Sequence, residues 1–162
     1  MTLVPFHATV VLKPCFSTGD RKMNHYRPYR PLLDKLRAAG LRPTRQRLAL
    51  ARLMFESGMT RHVTAETLHN EAMASNVSVS LATVYNTLHQ FTEGGLLREV
   101  VVDPGRSYFD TNTTSHHHFY FEETGVLVDI PATDVAIARL PEIPDGATVR
   151  SVDLIIRLAA AA

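Results

Sequence analysis

SLATVYNTLHQFTEGGLL, residues 80–97, holds a complete helix together with its start and stop signals. Ser80 is a favoured N-cap residue, and Leu81, Val84, Leu88 and Phe91 recur at intervals of three or four, the stripe of an amphipathic helix over Leu81–Glu93. Gly94-Gly95 supplies the stop. The polar residues Ser80, Thr83, Tyr85 and Asn86 gather in the first turns, while the apolar residues anchor the other face. A helix that reads a DNA groove needs this composition. Asn can bond adenine at two points, and Tyr or Thr can reach a phosphate or a thymine methyl.

The flanking sequence fits the same architecture. Upstream, Pro31–Ala39 opens with proline in the first turn and stops at Gly40. Thr44 caps a helix over Arg45–Glu56, and Thr64 caps one over Ala65–Ala74. Downstream, Leu96–Val102 is β-branched and apolar, Asp103-Pro104-Gly105 is a turn signal, and Ser107–Phe109 returns as a strand. Short helices followed by a two-stranded ribbon make a winged helix-turn-helix. TNTTS, residues 111–115, is a polar connector to a smaller unit. There the patterns predict strands over His116–Phe121 and Val126–Ile130, a short helix from Thr133 to about Leu140, and a last strand over Ala147–Leu158. The fold class is therefore α+β: an arm over 1–25, a winged-helix domain over 26–110, a hinge over 111–115, and a small α/β domain over 116–162. So small a unit is expected to complete its core against a second subunit.

Charge separates the two halves. Residues 21–52 carry ten Lys and Arg against the single acid Asp34, whereas residues 116–162 carry three Arg against seven acids. A basic front, including Arg42, Arg45 and Arg47, suits a polyanion. Hydrophobic residues at 45% and charged residues at 20% are ordinary globular usage, and no apolar run reaches bilayer-spanning length. A soluble, cytoplasmic protein without a membrane partner is expected. Cys15 is the only cysteine, which excludes an intramolecular disulfide and a structural four-cysteine zinc site within the chain. Nucleophile elbow, phosphate loop and HExxH are all missing from the sequence, so no enzyme is expected.

His116-His117-His118 is the second constellation. Alternation along a strand puts His116 and His118 on one face and His117 on the other, giving two imidazoles for a transition metal or a haem iron. His62, Asp110 and Asp129 are candidates to complete such a site.

LRPTRQRLAL, HVTAETLH, SLATVYNTLHQFTEGGLL and SHHHFYFEETGVLVDI, in that order, resemble the ferric uptake regulator (Fur) family, and most closely its iron response regulator branch. The resemblance implies a winged helix, a dimerisation domain and a homodimer on operator DNA. It maps a hinge metal site onto His62, Asp110, His116, His118 and Asp129, and DNA contacts onto Arg42, Arg47, Tyr85 and Asn86. The Cys-x-x-Cys pairs that hold zinc in many members are missing, with Phe121 and Thr124 in place of the first. The branch implies haem sensing through His116, His117 and His118, with a haem-delivering enzyme as a further partner. The alternative is a repressor that takes Fe, Mn or Zn as co-repressor.

Overall fold

A computed structural model describes residues 29–160 of the chain; the arm over 1–25, with Cys15, lies outside the described residues, as do the first three residues of the winged-helix domain. Four helices come first: α1 (Arg30–Ala38), α2 (Arg45–Phe55), α3 (Ala65–Ala74) and α4 (Leu81–Glu93). The caps work as the sequence indicates. Thr44 accepts from the Arg47 N–H at 3.2 Å, Thr64 from Thr67 at 3.2 Å and Ser80 from Thr83 at 3.1 Å. Each such cap stabilises its helix by about 1 kcal/mol. Leu36, Leu50, Met54, Leu68, Val84, Leu88 and Phe91 converge in one core from all four helices. Leu81, part of the predicted stripe, is exposed at the start of α4, and Thr87 is buried instead.

The wing is three-stranded rather than two-stranded. Strands β2 (Arg98–Asp103) and β3 (Arg106–Asp110) form the expected ribbon around Gly105, whose φ of +83° suits glycine. A two-residue strand, β1 (His62–Val63), adds to the free edge of β3 and sets His62 opposite Asp110. Two residues carry no detectable periodicity, so the sequence offered no sign of β1.

The second sheet has the order β5-β4-β6, with β4 (His116–Phe121) central, β5 (Val126–Pro131) antiparallel to it and β6 (Ile155–Leu158) parallel. Two expectations fail between β5 and β6. The predicted helix from Thr133 is a single 3-10 turn, Ala132–Asp134. An isolated helix of that length is marginal in water, and Pro131, Pro141 and Pro144 bracket the stretch. The predicted strand over Ala147–Leu158 shrinks to its last four residues, because only those lie along β4, where they meet His118–Phe121. Residues 147–154 are outside any strand, and of these Leu154 meets β4, its carbonyl accepting from the His118 N–H at 3.0 Å.

The two sheets share a second core. Val100, Val102 and Tyr108 of the wing pack against Tyr120 and Leu127 of the second sheet, with Ile155 at its edge. Part of the smaller unit's core thus comes from the wing of its own chain. Among the described residues, no helix is long and apolar enough to cross a membrane.

Candidate metal centre and nucleic-acid face

Side chains from both sheets meet where the wing ends and the second sheet begins. His62 comes from β1, Asp110 from the end of β3, His116 and His118 from β4, and Asp129 from β5. Antiparallel pairing sets His118 opposite Asp129, and the alternation of β4 puts His116 and His118 on the same side. One donor atom from each of the five residues lies within 4.8 Å of all the others. His62 Nε2 is 2.7 Å from Asp129 Oδ1, and His116 Nε2 is 2.9 Å from both Asp110 Oδ2 and His118 Nε2.

The hydrogen bonds around the cluster indicate what it lacks. His116 Nδ1 lies 2.8 Å from the Thr114 carbonyl, which can only accept, so Nδ1 carries the proton and Nε2 turns a lone pair inward. Asp110 Oδ1 and Asp129 Oδ2 accept from the Asn112 N–H at 2.7 Å and its Nδ2 at 2.8 Å. The remaining atoms His62 Nε2, Asp110 Oδ2 and Asp129 Oδ1 are buried without an aligned hydrogen bond. Lone pairs converging on one buried point repel unless protons or a cation occupy it. Three imidazoles and two carboxylates suit Zn, Fe or Mn, and a bound divalent ion would satisfy every orphaned atom at once.

Titration reflects the same crowding. Burial by itself would push the Asp110 carboxyl up, but the His118 and His62 imidazoles beside it and the Asn112 N–H that bonds it hold it well below the usual carboxylate range. Burial by itself would pull His62 down. The carboxylates of Asp110 and Asp129 beside it outweigh that and raise it above its ordinary value. His117 is apart from all this, on the opposite face of β4, buried, with its Nδ1 3.4 Å from the Leu154 nitrogen.

The residues singled out for DNA fall into three groups. Arg42, Arg45 and Asn86 are exposed, and Asn86 lines a groove between the starts of α2 and α4 with Thr44, Gln46, Thr83 and Gln90. Ser80 and Thr83 are engaged in capping α4, their hydroxyls 2.9 Å apart. Arg47 and Tyr85 are held by partners the sequence did not suggest. The Arg47 guanidinium bonds Gln90 Oε1 twice, at 3.0 and 2.6 Å, and the Arg42 carbonyl at 2.9 Å, tying α2 to α4. Tyr85 donates to Glu66 Oε1 at 2.6 Å, a bond that lowers the Glu66 carboxyl and raises the Tyr85 phenol. Asn112 was legible only as a turn residue in the TNTTS connector.

Over 97 residues the chain is 36% identical to the peroxide-responsive repressor PerR of Staphylococcus aureus, a match spanning 60% of this chain and 64% of the relative's length. Its fold is shared with the ferric uptake regulator of Pseudomonas aeruginosa, solved with manganese: TM-score 0.59 and 24% identity over 78% of this chain and 96% of that one. The Vibrio cholerae ferric uptake regulator gives a TM-score of 0.62 and 20% identity over 80% and 99%. These neighbours share the α+β architecture of helices and two small sheets. The sequence pattern of the family matches residues 38–157, from the last turn of α1 to β6, and the chain therefore belongs to the Ferric uptake regulator family.

Proposed function

We propose that the protein is a homodimeric, sequence-specific DNA-binding transcriptional regulator whose operator affinity is set by a divalent metal ion. The observation that carries this reading is the position of the five converging donors. His62 and Asp110 belong to the wing sheet, and His116, His118 and Asp129 to the second sheet, on either side of the 111–115 connector. A bound ion would supply charge neutralisation there and a cross-link between the two sheets. The residues themselves do the rest: Thr114 fixes the His116 tautomer, and Arg98 of β2 donates to the Thr114 and His116 carbonyls at 3.3 Å each, linking the wing to the same connector. Ligation would thus narrow the range of angles between groove-reading helix and dimer interface, which is how half-site spacing becomes sensitive to metal.

DNA contact is assigned to the exposed Arg42 and Arg45 for phosphate and to Asn86 for base edges, with Tyr85 available once it leaves Glu66. The homodimer is assigned to the outer face of the second sheet, where Phe121, Val126 and Val128 are exposed together. This is a cytoplasmic regulator, not an enzyme.

Haem sensing, as in the iron response regulator branch, is the weaker reading. His116 and His118 are 3% and 2% exposed and point at other ligands, an arrangement for a compact ion; a macrocycle would have to part the two sheets. A haem-delivering partner belongs to that reading alone. Peroxide response is a second reading, favoured by the named role of the Staphylococcus aureus relative.

The test is a titration of metal-free protein with Fe(II), Mn(II), Zn(II) and haem against operators selected from a random duplex pool. Tighter DNA binding with at least one divalent ion, lost in His116→Ala, is expected. DNA release by haem with no response to any ion would overturn the metal reading in favour of haem. Hydrogen peroxide added to the Fe(II)- and Mn(II)-loaded forms tests the second reading, which requires DNA release.

A further inference from the structure

Asn112 lies in the connector between the two sheets and touches both carboxylates of the cluster. Its backbone N–H donates to Asp110 Oδ1 at 2.7 Å, and its side-chain Nδ2 donates to Asp129 Oδ2 at 2.8 Å. Its Oδ1 accepts from the Thr114 N–H at 3.2 Å and from the Thr114 hydroxyl at 2.6 Å. The Thr114 carbonyl in turn faces His116 Nδ1. One residue therefore reaches Asp110 and Asp129 directly and His116 through its neighbour.

We infer that Asn112 is a positioning residue for the metal centre, fixing which oxygen each carboxylate offers. A free carboxylate rotates about its Cβ–Cγ bond and can present either oxygen or both. Here the two oxygens that Asn112 occupies are the outer ones, and their partners, Asp110 Oδ2 and Asp129 Oδ1, are, among the described residues, the carboxylate oxygens buried without an aligned hydrogen bond. The clamp also lowers the cost of holding two carboxylates side by side before an ion arrives, since each outer oxygen has a donor. An amide suits the task. It offers a donor toward Asp129 and an acceptor toward Thr114 at once, whereas Ser is too short and Asp lacks the donor. Because Asn112 belongs to the connector, the hinge backbone is fastened to ligands of both sheets.

The inference rests on the metal-centre reading, and the experiment separates the two. Full-length parent, Asn112→Ser, Asn112→Asp and His116→Ala are compared for Mn(II) and Zn(II) affinity by competition with a chelating dye, and for the Co(II) absorption spectrum. Asn112→Ser keeps an acceptor for the Thr114 N–H but cannot reach Asp129. It should bind both ions about 10–100-fold more weakly, the usual cost of losing a partner that orients a ligand. Its Co(II) bands should change as the Asp129 carboxylate turns, while the circular dichroism of the metal-free protein stays as in the parent. Asn112→Asp keeps the size and the acceptor toward Thr114 without the donor. It should also change the Co(II) bands, which keeps the test open if the serine variant folds poorly. Parent-like affinity and parent-like Co(II) bands in these variants would overturn the role of Asn112 alone. A parent that binds neither ion, and is indistinguishable from His116→Ala, would overturn the metal centre and this inference together.

Discussion

At the residue scale, Arg47 and Arg42 were paired by sequence and are separated by structure. Arg47 is bonded to Gln90 and to the Arg42 carbonyl, whereas Arg42 and Arg45 are exposed. Replacing Arg42 and Arg45 by Ala should flatten the salt dependence of DNA binding, by roughly 0.9 in the log–log slope for each phosphate no longer neutralised, with base preference unchanged. Arg47→Ala should instead lower folding stability by about 1–3 kcal/mol, as expected when a charged hydrogen-bond donor is removed from a part-buried site, seen as a lower urea midpoint. His62 supplies a pH signature. Its raised value means that in the metal-free protein it contributes stability below its ordinary 6.5, and that this contribution is lost as pH rises through the raised value. Asp110, held low, contributes above the ordinary carboxylate range, and that contribution disappears only in strong acid, as pH falls through its folded value. Metal affinity runs the opposite way to the His62 contribution, because ligation needs the neutral imidazole, and should weaken as pH falls through the raised value. Urea unfolding of metal-free protein between pH 5 and 8 should show a stability decline with rising pH that His62→Gln removes.

At the element scale, the wing is fastened to the second sheet by more than its shared core. Tyr108 donates to the Gly125 carbonyl at 2.6 Å, Arg106 to the Tyr120 hydroxyl at 2.9 Å, and Arg157 of β6 bonds Asp103 at 2.9 Å and the Val102 carbonyl. Gly125 has φ +65°, and a Cβ there would stand 3.2 Å from the Tyr108 hydroxyl. Gly125→Ala should therefore cost about 1 kcal/mol or more, from backbone strain and from the displaced hydroxyl together. Tyr108→Phe should cost about 1 kcal/mol through the hydrogen bond alone. Denaturant midpoints of the two single variants and their double check this: if both act on the same hydrogen bond, the double is less costly than the sum of the singles.

At the scale of the whole molecule, the outer face of the second sheet is the surface proposed to carry the homodimer. The β4–β5 register sets Phe119 opposite Val128 and Phe121 opposite Val126, and Phe121, Val126 and Val128 are 39%, 48% and 43% exposed. An apolar sheet face left open to water is the surface a second copy would cover. Val128→Asp should shift sedimentation from dimer to monomer and weaken DNA binding, since two half-sites are then no longer read jointly. An unchanged sedimentation coefficient would place the interface elsewhere.

The helices, their caps, the wing ribbon and the split faces of the His116–His118 strand were legible in the sequence. Each depends on residues within a turn or two of one another, so periodicity and capping record them directly. What lay between β5 and β6 was not legible, because a short helix or an edge strand there depends on a packing partner that local pattern does not specify. The same holds for the site. That His62 faces Asp110 follows from β1, a strand too short to leave a pattern, and that Asp129 joins them follows from the β4–β5 register. The sequence by itself determined which side chains had the chemistry. Only the pairing of strands distant along the chain decided that five of them would share one buried point, with Asn112 holding two of them in place.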